Sequence, residues 1–435
     1  MENRVVTILG ANGVMGANVA GILASFGNAR VYLVSRDRKD SEAAVQRAAN
    51  SVRAGTIAQN LIPADYSMLD RCVAESDFVF ESVSENLEIK KAVTAEIARS
   101  LRSNAFICTG TSGLSVTALA EVLPPEMRSR YFGMHFFNPP YSLTLCEIVP
   151  SLYTDPQLFG EAKKYLSEKL FRTVVAVKDS PAFLGNRIGF QFINKAMQYA
   201  DAYQDNGGID YIDAIMGPFT GRSMAPLTTS DFVGLDVHKA IVENVYENTA
   251  DYAHEDFALP AFAQRLIDQG RFGRKTKSGL YRMEKLDSGL KRMMVYDINT
   301  GNYRDKMQYK FAFSEQMLND LRSGEYRSAF HTLVHNHSKE AEICLSLLIQ
   351  YVVYALFASQ AVGFDPDSAD DVMATGFHWC PPLAMVKALS QVADFATLVN
   401  DRLDSRLTAA VDVKSLLASI HPSKYDYRLY FQSIR

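Results

Sequence analysis

Two titratable residues pose the first chemical question. His135 lies in Gly133-Met134-His135-Phe136-Phe137-Asn138-Pro139-Pro140, and Glu147 in Tyr141-Ser142-Leu143-Thr144-Leu145-Cys146-Glu147-Ile148-Val149. Consecutive prolines favour a turn near residue 141. If two antiparallel runs fold about that point, position 135 stands opposite 147, and directly opposed cross-strand side chains reach each other. A carboxylate that orients an imidazole and stabilises its protonated form makes that histidine an effective general base. A lone histidine in such a strand is more often a core residue, but an opposed pair beside a nucleotide-binding pattern reads as catalytic.

Two polar residues complete a candidate catalytic set. Ser112, in Thr109-Gly110-Thr111-Ser112-Gly113-Leu114, directly follows a strand pattern. Ligands of open α/β sheets bind outside the carboxyl ends of strands, where this hydroxyl would lie. Capping the helix that follows is the competing role, and Ser115 suits it better. Asn186 follows Asp179-Ser180-Pro181, which predicts a helix with proline at its first position. Asparagine is a poor helix former, and Gly185 and Gly189 beside it permit close approach, so a donor to substrate is the expected role.

A glycine turn supplies a phosphate site. Val5–Leu9 reads as a strand, closed by Gly10-Ala11-Asn12-Gly13-Val14-Met15-Gly16 and followed by a helical pattern through Val19, Ile22 and Leu23. Such a turn lets a pyrophosphate sit on amide groups at a helix N-terminus. At the end of the second strand, an NAD-binding domain usually places an acid that accepts from the ribose. Here the residues are Ser35-Arg36-Asp37. Arg36 suits a 2′-phosphate and the missing carboxylate removes repulsion, so NADP is expected to be accepted and slightly favoured by these residues. The alternatives are that Arg36 is a solvated charge or that Asp37 reads the ribose.

The elements that must position these residues follow from periodicity. Residues 1–178 alternate short apolar runs (5–9, 31–34, 78–80, 105–108) with amphipathic segments such as 86–101. That order predicts an α/β domain with a parallel sheet. From Pro181 the pattern becomes helical; a charged, glycine-punctuated stretch and a small hairpin at 293–303 follow, and a second helical region runs from about Lys310 to near the end. Ile343–Phe364 carries no charged side chain. It is long enough to span a bilayer, but its glutamines and absent basic flanks predict a helix buried in a core or subunit interface.

Composition narrows the function further. The 435 residues include 48% hydrophobic and 22% charged side chains, with a net charge of −4. No long basic run offers a nucleic-acid footprint. Five cysteines lie far apart without a CxxC pair, and the first residues lead straight into a strand, so reduced thiols and a cytoplasmic location are expected. His331, His335, His337, Glu340 and Glu342 read as a solvated helix face, and no metal is expected.

Together these residues resemble the L-3-hydroxyacyl-CoA dehydrogenase family. The pieces are the glycine turn, Glu85-Asn86-Leu87 with Lys90, Thr111-Ser112-Gly113-Leu114, His135-Phe136-Phe137-Asn138-Pro139, Glu147, and Asp179-Ser180-Pro181 with Asn186-Arg187. Gly217-Pro218, Asp231–Asp236 and Gly273–Thr276 continue the match, which covers about 5–285. The Thr-Ser-Gly variant and Gly221-Arg222 look most like the dehydrogenase part of bacterial long-chain enzymes that also carry an enoyl-CoA hydratase region. The resemblance implies a Rossmann-like NAD(P)-binding domain over 1–178, a helical C-terminal domain over 179–290 and a second, degenerate helical copy over 291–435. In that copy Cys380-Pro381-Pro382 replaces the family's Gly-Pro-Phe. The chain stops where the hydratase region would begin, so a dehydrogenase alone is expected.

The implied reaction interconverts an (S)-3-hydroxyacyl-CoA and a 3-oxoacyl-CoA, with His135, Glu147, Ser112 and Asn186 as the catalytic set. Gly10, Asn12, Gly13, Val14, Met15, Gly16, Ser35, Arg36, Glu85 and Lys90 would hold NAD or NADP, and the family form is a homodimer. This sequence departs from the family at three places: an extra residue in the glycine turn, Ser35-Arg36 in place of an acid, and Gly110 in place of asparagine. Two other functions stay open, a dehydrogenase of a free hydroxy acid and a non-catalytic nucleotide-binding protein.

Overall fold

Strand β1 (Val5–Leu9) has β-branched side chains at four of its five positions, and its last four residues are buried. It anchors an eight-stranded sheet in a computed structural model that describes residues 4–52, 55–286, 289–403 and 411–432. The other strands are β2 (Arg30–Ser35), β3 (Leu61–Asp65), β4 (Phe78–Glu81), β5 (Phe106–Thr109), β6 (Tyr131–Phe136), β7 (Leu145–Pro150) and β8 (Thr173–Ala176). Their order is β3-β2-β1-β4-β5-β6-β7-β8. Pairing is parallel from β3 through β6, antiparallel between β6 and β7, and parallel between β7 and β8. The order reverses between β1 and β4, so the crevice for a dinucleotide opens there.

Helices α1 (Val14–Ser25), α2 (Arg38–Val52), α3 (Leu69–Glu75), α4 (Leu87–Ala98), α5 (Val116–Ala120) and α6 (Pro156–Glu168) connect the strands. The ring of Phe106 on β5 stacks on Phe78 of β4 and Phe132 of β6, with centroids 5.0 and 5.4 Å apart. Such aromatic ladders hold neighbouring strands in register. Strand β3 was not expected, because Pro63 interrupts it. As the edge strand, β3 can spare the missing donor.

The described residues group into two compact units, 1–183 with 362–376, and 184–361 with 377–435. This differs from boundaries at 178 and 290. In the first unit the returning segment is stitched to the end of the sheet. Val177 bridges Gly363, and the Lys178 N–H donates to the Val362 carbonyl at 2.8 Å.

The second unit contains α7 (Gly185–Ala202), α8 (Ile209–Ile215), α9 (Pro226–Val233), α10 (Leu235–Asn248), α11 (Ala261–Asp268), α12 (Ala312–Ser323), α13 (Tyr326–His335) and α14 (Lys339–Val362). The expectation of purely helical domains needs an addition. Strands β9 (Tyr281–Lys285), β10 (Lys291–Tyr296) and β11 (Tyr303–Asp305) form an antiparallel sheet, of which only the β10–β11 hairpin was expected. Helix α14 is long and apolar enough to cross a membrane, but 83% of its apolar window is buried inside the chain.

A buried histidine ties three helices of this unit together. His238 on α10 donates from Nε2 to Asn194 Oδ1 on α7 at 2.9 Å, and Ser230 Oγ on α9 lies 3.3 Å from its Nδ1. Burial pushes the imidazole down to about 3, so it is neutral in the folded chain. The unfolded chain takes up a proton below the ordinary value of 6.5 and the folded chain does not, so this contribution to stability is lost as pH falls from 6.5 toward 3. Denaturant unfolding of wild type and His238→Gln is expected to show a stability gap that shrinks by about 1.4 kcal/mol per pH unit over that window. A pH-independent gap would remove His238 as the cause.

Candidate active site

The antiparallel pairing of β6 and β7 sets His135 directly opposite Glu147. The reversal expected from Pro139-Pro140 is present, with the Ser142 and Leu143 N–H groups donating to the Pro139 carbonyl at 3.0 and 2.9 Å. His135 Nδ1 lies 2.8 Å from Glu147 Oε2. Since an ionised carboxylate only accepts, Nδ1 carries the proton. The glutamate is fully buried and the histidine 5% exposed. Ring contacts to Phe137 at 4.5 Å and Phe183 at 5.7 Å fix the imidazole plane. Nε2 makes no hydrogen bond among the described residues, leaving its lone pair for a proton from elsewhere.

The glycine turn is built as a cradle. Gly10 takes φ +75°, and a Cβ there would lie 2.3 Å from the Ser82 carbonyl oxygen. A Cβ on Gly16 would lie 2.6 Å from the Gly10 carbonyl oxygen, so both positions need glycine. Gly13 caps α1 without a side-chain hydrogen bond, and the N–H groups of Val14, Met15 and Gly16 have no carbonyl to meet inside the helix. Asn12 is pinned outside, its amide 3.4 Å from Asp40 and its carbonyl accepting from Arg47 at 2.9 Å. The turn's additional residue is absorbed by the sheet, as Ala11 is buried and its N–H donates to Val34 at 3.2 Å.

At the end of β2, Ser35 is 1% exposed, and its Oγ meets no partner among the described residues. A buried hydroxyl without a partner is costly unless a ligand satisfies it. Arg36 is exposed and forms no ion pair among the described residues, whereas Asp37 accepts the Asp40 N–H at 2.8 Å and caps α2. The orphaned hydroxyl and the glycine cradle together fit a nicotinamide dinucleotide.

Ser112 is half-buried just beyond β5, with its N–H donating to Glu85 Oε1 at 2.7 Å. Thr111 Oγ1 donates to the same oxygen at 2.6 Å, and Lys90 Nζ lies 3.4 Å from Glu85 Oε2. Ser115, as expected, caps α5, with Asp179 accepting from Val116 and Thr117 at 2.9 and 2.8 Å. The unexpected Gly110 has a packing reason, since a Cβ there would lie 2.8 Å from the Phe80 ring.

Asn186 is the second residue of α7, in the second unit, and is buried. The expected helix start at Pro181 is incorrect. Ala182 and Phe183 take left-handed conformations, with φ of 59° and 52°, and the helix begins at Gly185. That conformation costs roughly 1–2 kcal/mol per residue and breaks the helical path. Arg187 anchors the true start, donating to Asp251 at 2.8 Å and to the Tyr354 hydroxyl at 3.0 Å.

The sequence reading missed Glu81, a fully buried acid at the end of β4, and the aromatic contacts to His135. An acid closing an apolar strand, with Lys90 one helix turn into α4, was the available signal for Glu81. The glycine turn and Ser35, the Glu85–Ser112 group, and the His135–Glu147 pair lie at the ends of successive strands of one sheet.

Comparison with known proteins agrees with this arrangement. Residues 5–180 match the family model of the 3-hydroxyacyl-CoA dehydrogenase NAD binding domain, and 183–283 match that of the 3-hydroxyacyl-CoA dehydrogenase C-terminal domain. A probable 3-hydroxyacyl-CoA dehydrogenase of Deinococcus radiodurans is 31% identical over 300 residues, 66% of this chain and 84% of the relative. One of Bacillus subtilis is 28% identical over 70% of this chain, which spans only 38% of that relative's length. The structure of 3-hydroxybutyryl-CoA dehydrogenase from Escherichia coli, 20% identical, covers 96% of this chain and 99% of its own, with a TM-score of 0.70; it speaks to the fold, through the C-terminal third. With both family models matched in order, the NAD-binding one over the cradle and the His135–Glu147 pair, the chain belongs to the 3-hydroxyacyl-CoA dehydrogenase family.

Proposed function

We propose that the chain interconverts an (S)-3-hydroxyacyl-CoA and a 3-oxoacyl-CoA. The carrying observation is the buried His135–Glu147 pair, with Nδ1 engaged and no hydrogen bond to Nε2 among the described residues. His135 Nε2 takes the 3-hydroxyl proton in oxidation and returns it in reduction. Glu147 holds the ring in that tautomer and offsets the imidazolium charge. Ser112 donates to a substrate oxygen, where charge develops in the transition state. A bound nicotinamide dinucleotide supplies the hydride acceptor. Its pyrophosphate would lie on the Gly10–Gly16 turn and its adenosine ribose against Ser35 and Arg36. The test is oxidation of reduced nicotinamide by the purified chain with acetoacetyl-CoA. Activity on a free 3-oxo acid with none on the ester would favour a free hydroxy acid as substrate instead.

The residues at the end of β2 support acceptance of NADP(H) beside NAD(H). No acid occupies position 35, Asp37 is engaged as a helix cap, and the Arg36 guanidinium is exposed. Losing one charge-assisted contact costs about 1.5–3 kcal/mol, so Arg36→Ser is expected to raise the KM for NADPH by roughly tenfold to a hundredfold. The KM for NADH should stay within about twofold. Equal effects on both cofactors would assign Arg36 to the surface. The same reading takes the chain as a cytoplasmic homodimer. Five buried thiols suit a reducing compartment, and light scattering of the purified chain tests the dimer.

A further inference from the structure

A second charge cluster, with a buried Glu81–Lys90 pair and an exposed Glu85, lies at the carboxyl ends of β4 and β5, and the proton chemistry does not use it. Glu81 Oε1 accepts from Lys90 Nζ at 2.8 Å and from the Val83 N–H at 2.7 Å. Its Oε2 accepts from Lys90 Nζ at 3.1 Å and from Thr109 Oγ1 at 2.8 Å. Lys90 is 1% exposed and lies 3.4 Å from Glu85 Oε2 as well. The Glu81–Lys90 pair would be neutral alone. Glu85, held against it by Thr111 and the Ser112 N–H, leaves two carboxylates on one ammonium and a formal charge of −1.

The topology says which end of a dinucleotide meets this cluster. The phosphate cradle follows β1, and the unpartnered Ser35 hydroxyl at the end of β2 marks the adenosine side. The other half of the ligand must then cross the switch point to the ends of β4 and β5. Its nicotinamide ring is a cation when oxidised and neutral when reduced. An excess negative charge behind low-dielectric walls acts on one of these forms and not on the other.

We propose that the Glu81–Lys90–Glu85 cluster is a charge selector that binds the oxidised cofactor in preference to the reduced one and so biases the site toward oxidation. This rests on the dehydrogenase reading above. Glu81 and Lys90 set the charge from inside the sheet, and Glu85 brings it to the surface of the crevice.

The test is equilibrium binding of NAD+ and NADH to the wild-type chain, Glu85→Gln and Glu81→Gln, read by cofactor fluorescence and calorimetry. Glu85 has a side chain 43% exposed, so Glu85→Gln is expected to fold normally, and it decides the matter if Glu81→Gln does not. Each variant should raise the ratio of the NAD+ to the NADH dissociation constant by roughly threefold to tenfold, the range of one partly screened charge. A parallel loss for both redox forms, or no change, overturns the selector and leaves the dehydrogenase reading standing. Failure of the wild-type chain to bind either form overturns both.

Discussion

Replacing His135 by alanine is expected to lower kcat about a thousandfold, within the ~10²–10⁴ range of general acid–base catalysis. The cofactor dissociation constant should stay unchanged, since the glycine cradle and Ser35 lie at the ends of other strands. Among the described residues the His135 side chain has one hydrogen-bond partner, Glu147 Oε2 at 2.8 Å. The substitution therefore removes the imidazole donor from a buried carboxylate and is expected to cost stability as well. His135→Gln separates the two effects, because its amide nitrogen can still donate toward Glu147 but cannot carry a proton between substrate and solvent. Single-turnover measurements with acetoacetyl-CoA should show both variants slow and both binding NADH. Near-normal turnover in either would remove His135 from the mechanism.

Glu147→Gln is expected to lower kcat by about 10²–10³, less than His135→Ala because the base itself remains. The glutamine oxygen can accept from Nδ1, so the ring keeps its orientation, but the neutral amide no longer offsets the imidazolium. The effect should therefore fall on kcat, where charge develops, with little change in KM. Glu147→Asp keeps the charge and loses a methylene of reach across the β6–β7 ladder, where the carboxylate spans 2.8 Å. It is expected to lose activity comparably, which would show that the charge and its placement are both needed. If Glu147→Gln raises KM while lowering kcat, the glutamate contacts substrate instead.

How far these residues could be read in advance depended on what positions them. The 135–147 register was legible because strand pairing is counted from a turn, and two prolines mark the turn in the chain itself. The glycine cradle was legible for a similar reason, since a left-handed Gly10 and a close backbone approach at Gly16 restrict residue type locally. The helix start after Pro181 was misplaced because proline at a first turn is only a propensity, and packing holds Ala182 and Phe183 left-handed against it. That packing puts the Phe183 ring 5.7 Å from His135.

The sequence thus determined which groups share a strand pair or a turn, because periodicity and turn chemistry act within about a dozen residues. It carried the fold class, the cradle and the acid–base pair. Tertiary structure alone decided that Glu81 meets Lys90, that Ser35 is buried with no side-chain partner among the described residues, that Asp37 serves a helix, and that 362–376 returns to the first unit. Each of these rests on which surfaces are removed from water together. Hydrophobic burial is non-directional, so no local spacing of residues encodes it.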